Sequence, residues 1–444
     1  MSRKPNATTV PASRLSRLTH LGSMTAGVAS NMALGGLSEL SKGRRPLMRD
    51  LLLTPSNLTR IANRLAEMRG AAMKIGQLVS MDTGEVLPPE LAQIMARLRD
   101  DAHIMPPSQL KQVLNANWPK GWLQAFAKFD VRPIAAASIG QVHRAQLKDG
   151  RDMAIKVQYP GVARSIDADV ANVGALIKMT GLLPKGFELA PYLDEAKAQL
   201  HEETDYLREA SHLDSFRALL SGDDRFVLPQ VQEDWTTDAI LAMDFIDSTE
   251  IESVANASQD IRDRVACTLI KLMLAELFTF GTMQTDPNFA NYRYQPETGH
   301  IVLLDFGATR VITPGIAAIY HRLLKAGLDG DHDTLQGAAL ELGLFAEDTE
   351  PRHASQITGM IEMLFAEITA NQELDFGTTD LPRRMHLEGT ALAESGFIPP
   401  PLPIDALFVQ RKFGGMFLLA ARLRARVPLQ SLLRDHLETS LPIG

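Results

Sequence analysis

Two aspartates and an asparagine follow one another closely in the second half of the sequence. Asp286 and Asn291 lie in the stretch "MQTDPNFANY", and Asp305 lies in "IVLLDFGATR", nineteen residues after Asp286. Carboxylate and amide oxygens are ligands that Mg²⁺ prefers, and a nearby carboxylate can orient a hydroxyl group or accept its proton. The three residues therefore predict a site where a bound cation and a proton acceptor work together.

The spacing of these residues is that of a protein-kinase-type phosphoryl-transfer site. Such a site uses an Asp, an Asn five residues later, and then the Asp of D-F-G after a short hairpin. Here "NYRYQPETGHIVLL" predicts that hairpin, with a polar turn at 297–299 and an apolar strand that ends at Asp305. In this interpretation Asp286 acts at the attacking hydroxyl, and Asn291 and Asp305 hold Mg²⁺. The alternative is an Asx-turn that joins two helices at "TDPNFAN".

A strand lysine and an acidic helix supply the next candidates. Lys156, in "DMAIKVQYP", resembles the V-A-I-K lysine that pairs with the α- and β-phosphates of ATP. The stretch "DEAKAQLHEETDYLREASHLDSF" offers Glu203, Asp205 and Glu209 on a predicted helix. Asp205 and Glu209 are four residues apart and share a face, whereas Glu203 projects elsewhere. The alternative is a solvated, charge-rich helix, and the spacing leaves open whether Glu203 or Glu209 pairs with Lys156.

The loop before this strand is rich in alanine instead of glycine. Ala135, Ala136, Ala137 and Ser138 stand in "AAASIGQVH", where a kinase would have most of its phosphate-binding glycines. Alanine permits close approach of backbone N–H groups but restricts the positive φ angles that glycine supplies. We therefore expect a nucleotide-binding loop with a selectivity and transfer geometry unlike those of a typical kinase. A β-turn that binds no ligand is the alternative.

Hydrophobic periodicity indicates the elements that must position these residues. A long amphipathic helix is predicted from residue 57 to about 84, with a second helix at 90–99. Three short strands follow within 129–161, then helices at 166–179 and 192–220, and a strand pair that ends at residue 246. The rest is predicted to be mostly helical. The predicted divisions are a leader (1–45), a helical extension (46–128), an N-lobe (129–247) and a C-lobe (248–444).

The composition excludes several classes of protein. A chain of 444 residues with 45% apolar and 22% charged residues predicts two packed lobes. The net charge of −8 argues against a nucleic-acid partner. The single cysteine, Cys267, excludes an intrachain disulfide and is predicted to be a small core residue.

Membrane and targeting signals leave two locations open. No apolar run is long enough to predict a membrane span. The small-residue stretch 21–40 is predicted to be a mobile or self-packed leader, and a helix that docks on a partner or a membrane surface is the alternative. The N-terminus is basic and lacks acidic residues before Glu39, which is typical of a transit peptide and also occurs in bacterial proteins. We therefore keep two locations, a cytoplasmic one with peripheral contact to the inner membrane, and a mitochondrial one if the leader is a transit peptide.

Five motifs in order resemble the UbiB family of atypical protein-kinase-like proteins (the ABC1/AarF type), in its coenzyme Q branch. They are "MKIGQ", "AAASIGQVHRA", "ETDYLREA", "DPNFAN" and "LLDFGATR", and the resemblance covers roughly residues 57–437. The late stretch "VQRKFGGMFLLAARLRARVP" also looks closer to that branch. The resemblance implies an α+β, protein-kinase-like two-lobed fold with an N-terminal helical extension, and ATP and Mg²⁺ as cofactors.

The resemblance also implies a segment that gates the site. The K-x-G-Q element matches Lys74, Gly76 and Gln77, and in this family it folds over the place where a peptide substrate would bind. The E-x-D element matches Glu203 and Asp205, which the resemblance implies hold that segment.

The remaining matches concern the nucleotide. By the same matching, Glu209 becomes the expected partner of Lys156. The backbones of Asp244 and Ile246, in "LAMDFID", match the hinge that meets adenine, although the family usually has Glu at the first of these positions.

The function implied is binding and slow hydrolysis of Mg-ATP, or phosphoryl transfer to a small or lipid-like acceptor, in support of ubiquinone biosynthesis. We expect no phosphorylation of proteins in trans. The alternative is a nucleotide-switched, chaperone-like protein for lipid or quinone intermediates or for biosynthetic enzymes. A pseudokinase scaffold is disfavoured because Lys156, Asp286, Asn291 and Asp305 are all present. The sequence shows no hydrophobic tail after Leu437, which favours peripheral membrane contact over stable anchoring. The acceptor, the particular quinone, the oligomeric state and leader cleavage stay open.

Overall fold

The computed structural model describes residues 65, 68–82, 104–180, 189–400 and 402–439. These divide into two compact units. The first contains the described residues up to Ser211 together with Gln230–Phe245. The second contains His212–Pro229 and the described residues from Ile246 onward. The predicted leader, including the stretch 21–40, and the predicted helix at 90–99 lie outside the described residues.

An antiparallel sheet forms the centre of the first unit. Its strands run in the order β1-β3-β4-β6, with β2 paired to β3. The strands are β1 (Phe126–Phe129), β2 (Ala135–Ala136), β3 (Gly140–Leu147), β4 (Asp152–Gln158) and β6 (Ile240–Asp244). In β4 every residue after Asp152 is buried, so this strand lies inside the unit. The predicted "KDG" turn joins β3 to β4, and Gly150 there has a φ of 99°, which glycine adopts readily.

Helices complete the first unit. They are α1 (Arg69–Asp82), α2 (Pro107–Asn117), α3 (Val162–Thr180), α4 (Ala190–Glu203) and α5 (Tyr206–Leu219), of which Tyr206–Ser211 belongs to this unit. Helix α1 packs against α3 and α4. The apolar residues predicted to form one face of the first helix are buried, as far as they are described: Leu65, Met68, Ala72 and Ile75. This part of the helical prediction is confirmed.

The helix predicted at 192–220 is in fact two helices. Helix α4 ends at Glu203, and Asp205 begins α5, since its Oδ1 accepts a hydrogen bond from the backbone N–H of Arg208 at 2.9 Å. An aspartate that caps a helix satisfies one of the N–H groups that the first turn leaves unpaired. Asp205 therefore starts the second helix instead of sharing a helical face with Glu209, which corrects the prediction.

The second unit combines small sheets with many helices. The strands of its largest sheet run β5-β10-β9-β7, and two pairs, β11-β8 and β12-β13, accompany it. The strands are β5 (Phe226–Val227), β7 (Thr249–Glu250), β8 (Thr282–Gln284), β9 (Tyr292–Tyr294), β10 (Ile301–Leu303), β11 (Thr309–Val311), β12 (Leu374–Asp375) and β13 (Arg426–Val427). The predicted hairpin is confirmed, because β9 and β10 pair antiparallel.

The helices of the second unit confirm the prediction of a mostly helical second half. They are α6 (Gln259–Ala275), α7 (Pro314–Asp329), α8 (His332–Glu341), α9 (Pro351–Ala370), α10 (Leu381–Glu394), α11 (Ile404–Leu423) and α12 (Leu429–Thr439). A π-helical turn, Glu276–Phe280, extends α6. Cys267 on α6 is only partly buried, and that burial raises the pKa of its thiol. In the part of the chain that the structure describes, no helix is both long and apolar enough to cross a bilayer.

The strand pair predicted before residue 246 forms differently. Within 225–246, all of which the structure describes, strand pairing between the two stretches is limited to an isolated bridge between Val231 and Met243. Strand β5 instead pairs in parallel with β10, which is much later in the sequence. Pro229 lies between β5 and Val231, and proline has no N–H to donate to a ladder. The proline therefore ends the local pairing that the apolar pattern suggested.

A buried histidine makes the first unit sensitive to acid. His143 on β3 is fully buried; its Nδ1 lies 2.8 Å from the carbonyl of Asp130, and its Nε2 lies 2.8 Å from Nε2 of Gln141. The carbonyl can only accept, so Nδ1 carries the proton and Nε2 accepts from the Gln141 amide. Burial lowers the pKa of His143 below its usual 6.5, outweighing the opposing effect of Asp130.

We expect the first unit to lose stability as the pH falls below 6.5. Below this pH His143 is protonated in the unfolded chain but stays neutral in the folded chain. The contribution of His143 therefore lowers the free energy of unfolding by at most about 1.4 kcal/mol per pH unit. His143→Gln should flatten that dependence. All three tryptophans, Trp118, Trp122 and Trp235, lie in this unit, so urea unfolding followed by their fluorescence at pH 7.5 and 5.5 measures it. His386→Gln removes an exposed histidine and serves as the control. A slope in His143→Gln that equals the slope in this control would contradict the assignment.

Candidate functional site

Lys156 and Glu209 form a buried ion pair in the first unit. Nζ of Lys156 lies 2.7 Å from Oε1 and 2.9 Å from Oε2 of Glu209, and both side chains are less than a tenth exposed. Lys156 comes from the centre of β4, and Glu209 from the first turn of α5. The ring of Tyr206 lies 5.1 Å from Nζ. The structure thus brings Glu209, and not Glu203, to Lys156, which answers the question that the spacing left open.

Glu203 instead connects α1 to the alanine-rich loop. One carboxylate oxygen forms an ion pair with Lys74, which is 4% exposed, and the other accepts a hydrogen bond of 2.6 Å from the hydroxyl of Ser138. Gly70 adds a close approach, because a Cβ there would lie 3.2 Å from the carbonyl oxygen of Ser138. A single carboxylate therefore ties the helix that carries the K-x-G-Q sequence to the loop "AAAS".

The other predicted gating residues do not take part in the contacts of Glu203 with Lys74 and Ser138. Gly76 is buried in α1. Gln77 follows it in the same helix, but its side chain lies outside the described part. Asp205 is exposed and caps α5, and the described contacts of Lys74 lead to Glu203 and not to Asp205.

The alanine-rich loop folds as a tight turn. Ala135 and Ala136 pair with β3, both exposed, and the N–H of Ala137 donates to the carbonyl of Gly140 at 2.9 Å. A Cβ on Gly140 would lie 2.4 Å from the carbonyl oxygen of Val157, closer than side chains approach backbone. The sequence prediction considered only the missing glycines, although Gly140 stands three residues after Ala137. Gly140 is required for close strand packing, not for a positive φ.

The predicted hinge residues already make hydrogen bonds within their own units. The N–H of Asp244 donates to the carbonyl of Gln230 at 3.0 Å, and its carboxylate accepts from Nε2 of Gln232 at 2.7 Å. The carbonyl of Ile246 accepts from the hydroxyl of Ser248 at 3.1 Å. A role in adenine binding for these two backbones stays a prediction.

The second unit gathers the three residues that opened the sequence argument. Nδ2 of Asn291 donates to the backbone carbonyl of Asp286 at 3.1 Å, and the N–H of Leu304 donates to the carbonyl of Asn291 at 3.1 Å. Strand β8 pairs with β11, so Thr285, just before Asp286, donates from N–H and hydroxyl to the carbonyl of Ala308. Local hairpins thus bring the segments around Asp286, Asn291 and Asp305 side by side.

The donor set of this group fits Mg²⁺. Magnesium in nucleotide sites is usually held by one or two carboxylates, with phosphates and water completing an octahedron. The Nδ2 bond to Asp286 leaves Oδ1 of Asn291 as its ligand atom. Asp305 accepts at Oδ1 from the N–H of Gly307 at 3.0 Å, which orients the carboxylate. An amide oxygen and a carboxylate are thus donors of the kind that Mg²⁺ takes in such sites.

Two basic residues of α11 lie beside the segment that contains Asp286 and Asn291. No role was predicted for either of them from the sequence. Nη2 of Arg411 lies 2.9 Å from Oδ1 of Asp286, and Nζ of the fully buried Lys412 lies 2.9 Å from Oε2 of Glu276. Burial alone would lower the pKa of Lys412, but the combined effect of Glu276 and Tyr292 outweighs it, so the pKa is raised and the amine is charged. The stretch "VQRKFGG" contains both residues, but their partners are more than a hundred residues earlier, so no local pattern revealed the contacts.

Comparison with known proteins identifies the family. Residues 97–339 match the family model of the ABC1 atypical kinase-like domain. The mitochondrial atypical kinase COQ8 of Saccharomyces cerevisiae is 38% identical over 433 residues, which are 97% of this chain and 86% of the yeast protein. The mitochondrial atypical kinase COQ8B of Rattus norvegicus is 37% identical, covering 96% of this chain and 81% of the rat protein.

A solved structure supports the fold. The complex of Rv3197 with erythromycin, from Mycobacterium tuberculosis, superposes with a TM-score of 0.59 at 23% identity, over 85% of this chain and 94% of that one. The resemblance to the UbiB (ABC1/AarF) family that the motifs indicated is confirmed, and so is the protein-kinase-like α+β fold. The chain belongs to the ABC1 atypical kinase-like family and is a kinase-type enzyme.

Proposed function

We propose that this protein binds Mg-ATP and supports ubiquinone biosynthesis, either by slow hydrolysis of ATP or by phosphoryl transfer to a small or lipid-like acceptor. The observation that carries the proposal is the set Asp286, Asn291 and Asp305, held by hydrogen bonds between neighbouring segments of one unit. The COQ8 names of the relatives support the link to coenzyme Q.

Each residue has a definite task in this reaction. Lys156, oriented by Glu209, binds phosphate oxygens of the nucleotide. Asp286 orients the attacking hydroxyl or water and takes its proton as the new oxygen–phosphorus bond forms. The bond between the γ-phosphorus and its bridging oxygen breaks, and ADP leaves. Asn291 and Asp305 would hold Mg²⁺, which neutralises charge on the phosphates when it is bound.

The fixed position of α1 supports a restriction on the acceptor. Lys74 is buried and paired with Glu203, and Glu203 is bonded to Ser138. Moving this helix would cost free energy, because it would break a buried ion pair and leave a buried charge without its partner. We therefore propose that polypeptides are excluded and that proteins are not phosphorylated in trans.

The same contacts favour a second candidate function. Because Glu203 contacts both Lys74 of α1 and Ser138 of the alanine-rich loop, a nucleotide that displaces Ser138 would also alter the surroundings of the ion pair that holds α1. The protein could then act as a nucleotide-switched, chaperone-like factor for lipid intermediates or biosynthetic enzymes. In that case ATP binding, and not its turnover, would be required.

Location and partners belong to the proposal too. The yeast and rat relatives are named mitochondrial. We propose that this protein works at an inner membrane, bacterial or mitochondrial, by peripheral contact, with quinone or lipid intermediates and the enzymes that process them as its partners. A nucleic-acid partner is not expected, given the net charge of −8.

Phosphate release from Mg-ATP tests the proposed function. We expect Asp305→Asn to lower the rate at least about tenfold, because the neutral amide binds Mg²⁺ more weakly than the carboxylate does. The Asn oxygen can still accept the bond from the N–H of Gly307, so the turn should persist. The rate is measured with and without anionic liposomes, and the exposed Asp333→Asn serves as the control. Equal rates for the unmodified protein and Asp305→Asn would reject the metal assignment and favour the switch.

A further inference from the structure

Two consecutive basic residues of one helix in the second unit contact the segment 286–291 and the residues that flank it. Arg411 of α11 donates to Oδ1 of Asp286 at 2.9 Å, and its side chain is 9% exposed. One turn later, a Cβ on Gly415 would lie 2.2 Å from Cβ of Pro287. Residues four apart share a helical face. The backbone of α11 therefore lies directly against the segment, and only a glycine fits at that contact.

Lys412 forms hydrogen bonds with residues on both sides of the same segment. Its Nζ donates to the carbonyl of Gln284 at 2.7 Å and to the hydroxyl of Tyr292 at 3.0 Å, and it pairs with Glu276 at 2.9 Å. Gln284 lies two residues before Asp286, and Tyr292 follows Asn291 directly. An ammonium group has three protons, and the third hydrogen-bond acceptor of Lys412 is Oε1 of Gln284 at 3.3 Å. A single buried nitrogen thus holds both ends of the segment to α11.

The surroundings of Lys412 allow little movement. The side chains of Lys412 and Glu276 are 1% and 2% exposed. Glu276 begins the π-helical turn after α6, and its Oε1 lies 3.4 Å from the N–H of Gln284. Insertions of this type in a helix occur often at functional sites. The turn places a carboxylate where it can compensate the buried ammonium group beside the segment.

We infer that Arg411 and Lys412 form a clamp on α11 that positions the Asp286–Asn291 loop for phosphoryl transfer. This inference rests on the proposed function, because it takes Asp286 as the group that meets the acceptor. The contact of Arg411 uses Oδ1 of Asp286 and holds the carboxylate in one orientation, in which Oδ2 would be the atom that meets the acceptor hydroxyl. Lys412 fixes the distance between the loop ends, which sets Asn291 relative to Asp286. Helix α11 lies beyond the residues that the family model covers, 97–339.

Arg411 can be tested by separating kcat from KM. Arg411→Met should lower kcat for phosphate release about tenfold and leave the KM for ATP within about twofold, since misplacing a catalytic group costs turnover rather than ground-state binding. Arg411→Lys keeps the positive charge and should recover part of the loss. The control is Arg422→Met. Arg422 lies on the same helix as Arg411 and forms an exposed ion pair with Glu252, so its removal should leave kcat unchanged. An Arg411→Met enzyme with normal kcat would overturn the inference.

Amide hydrogen exchange keeps this test independent of ATP turnover. In Arg411→Met, exchange in the segment 286–291 should quicken about tenfold, while exchange in β9 and β10 stays as it was. If the unmodified protein released no phosphate, the proposed function would fail, and the exchange comparison alone would decide the clamp. Faster exchange confined to the segment would support it. Unchanged exchange would overturn it.

Lys412 needs a paired substitution. Lys412→Met alone leaves Glu276 buried without its countercharge, and the unit could fail to fold. The double variant Lys412→Met/Glu276→Met removes both charges and keeps apolar volume. With normal circular dichroism, it should show faster exchange on both sides of the segment, at Gln284 and at Tyr292. Protection equal to that of the unmodified protein would mean that the clamp consists of Arg411 alone, and the two-residue inference would be rejected.

Discussion

Asp286→Asn is expected to lower the turnover of ATP by about 10²- to 10⁴-fold, the usual contribution of a positioned acid or base. The amide cannot take the proton from the attacking oxygen. Binding of ATP should stay within about threefold of normal, because this side chain acts on the acceptor and not on the nucleotide. The loss should therefore fall on kcat, with little change in KM.

The fold should survive this substitution. An Asn at position 286 can still accept the hydrogen bond from Arg411, and the backbone carbonyl that Asn291 contacts is unchanged. The measurement is single-turnover phosphate release, together with calorimetric binding of a non-hydrolysable ATP analogue. Normal turnover in Asp286→Asn would remove Asp286 from the chemistry. A lost rate with retained biological function would instead favour the nucleotide switch.

The sequence could predict the parts of this site that are local along the chain. A hairpin connects Asn291 to Asp305, and the sequence shows its polar turn and its apolar strand. Strands β9 and β10 form this hairpin. Lys156 was predicted to lie on a strand, and it comes from the centre of β4. Short-range order of this kind follows from periodicity and turn chemistry.

The sequence could not settle contacts that depend on helix ends or on distant packing. Which acidic residue pairs with Lys156 depends on where one helix ends and the next begins. Asp205 caps a new helix there, and the periodicity of the sequence did not show this break. The contact between Arg411 and Asp286 joins residues 125 positions apart, so no window of the sequence contains both. The parallel pairing of β5 with β10 has the same character.

Lys156→Met should destabilise the first unit by about 3–5 kcal/mol, the usual cost of breaking a buried ion pair from one side. The Nζ atom that both oxygens of Glu209 contact is lost, and the carboxylate stays in a site that is 3% exposed. Urea unfolding followed by tryptophan fluorescence measures this directly, because all three tryptophans lie in the first unit. A loss below about 1 kcal/mol would indicate that the pair behaves like a surface salt bridge.

The double variant Lys156→Met/Glu209→Met separates the structural role of the pair from its role in nucleotide binding. Removing both charges leaves an apolar contact, so most of the lost stability should return, as it does when buried pairs are replaced by hydrophobic residues. ATP binding should not return, because the charge that meets the phosphates is still missing. If the double variant regained both stability and ATP affinity, Lys156 would be a structural residue of the fold, and the phosphates would be bound by other groups.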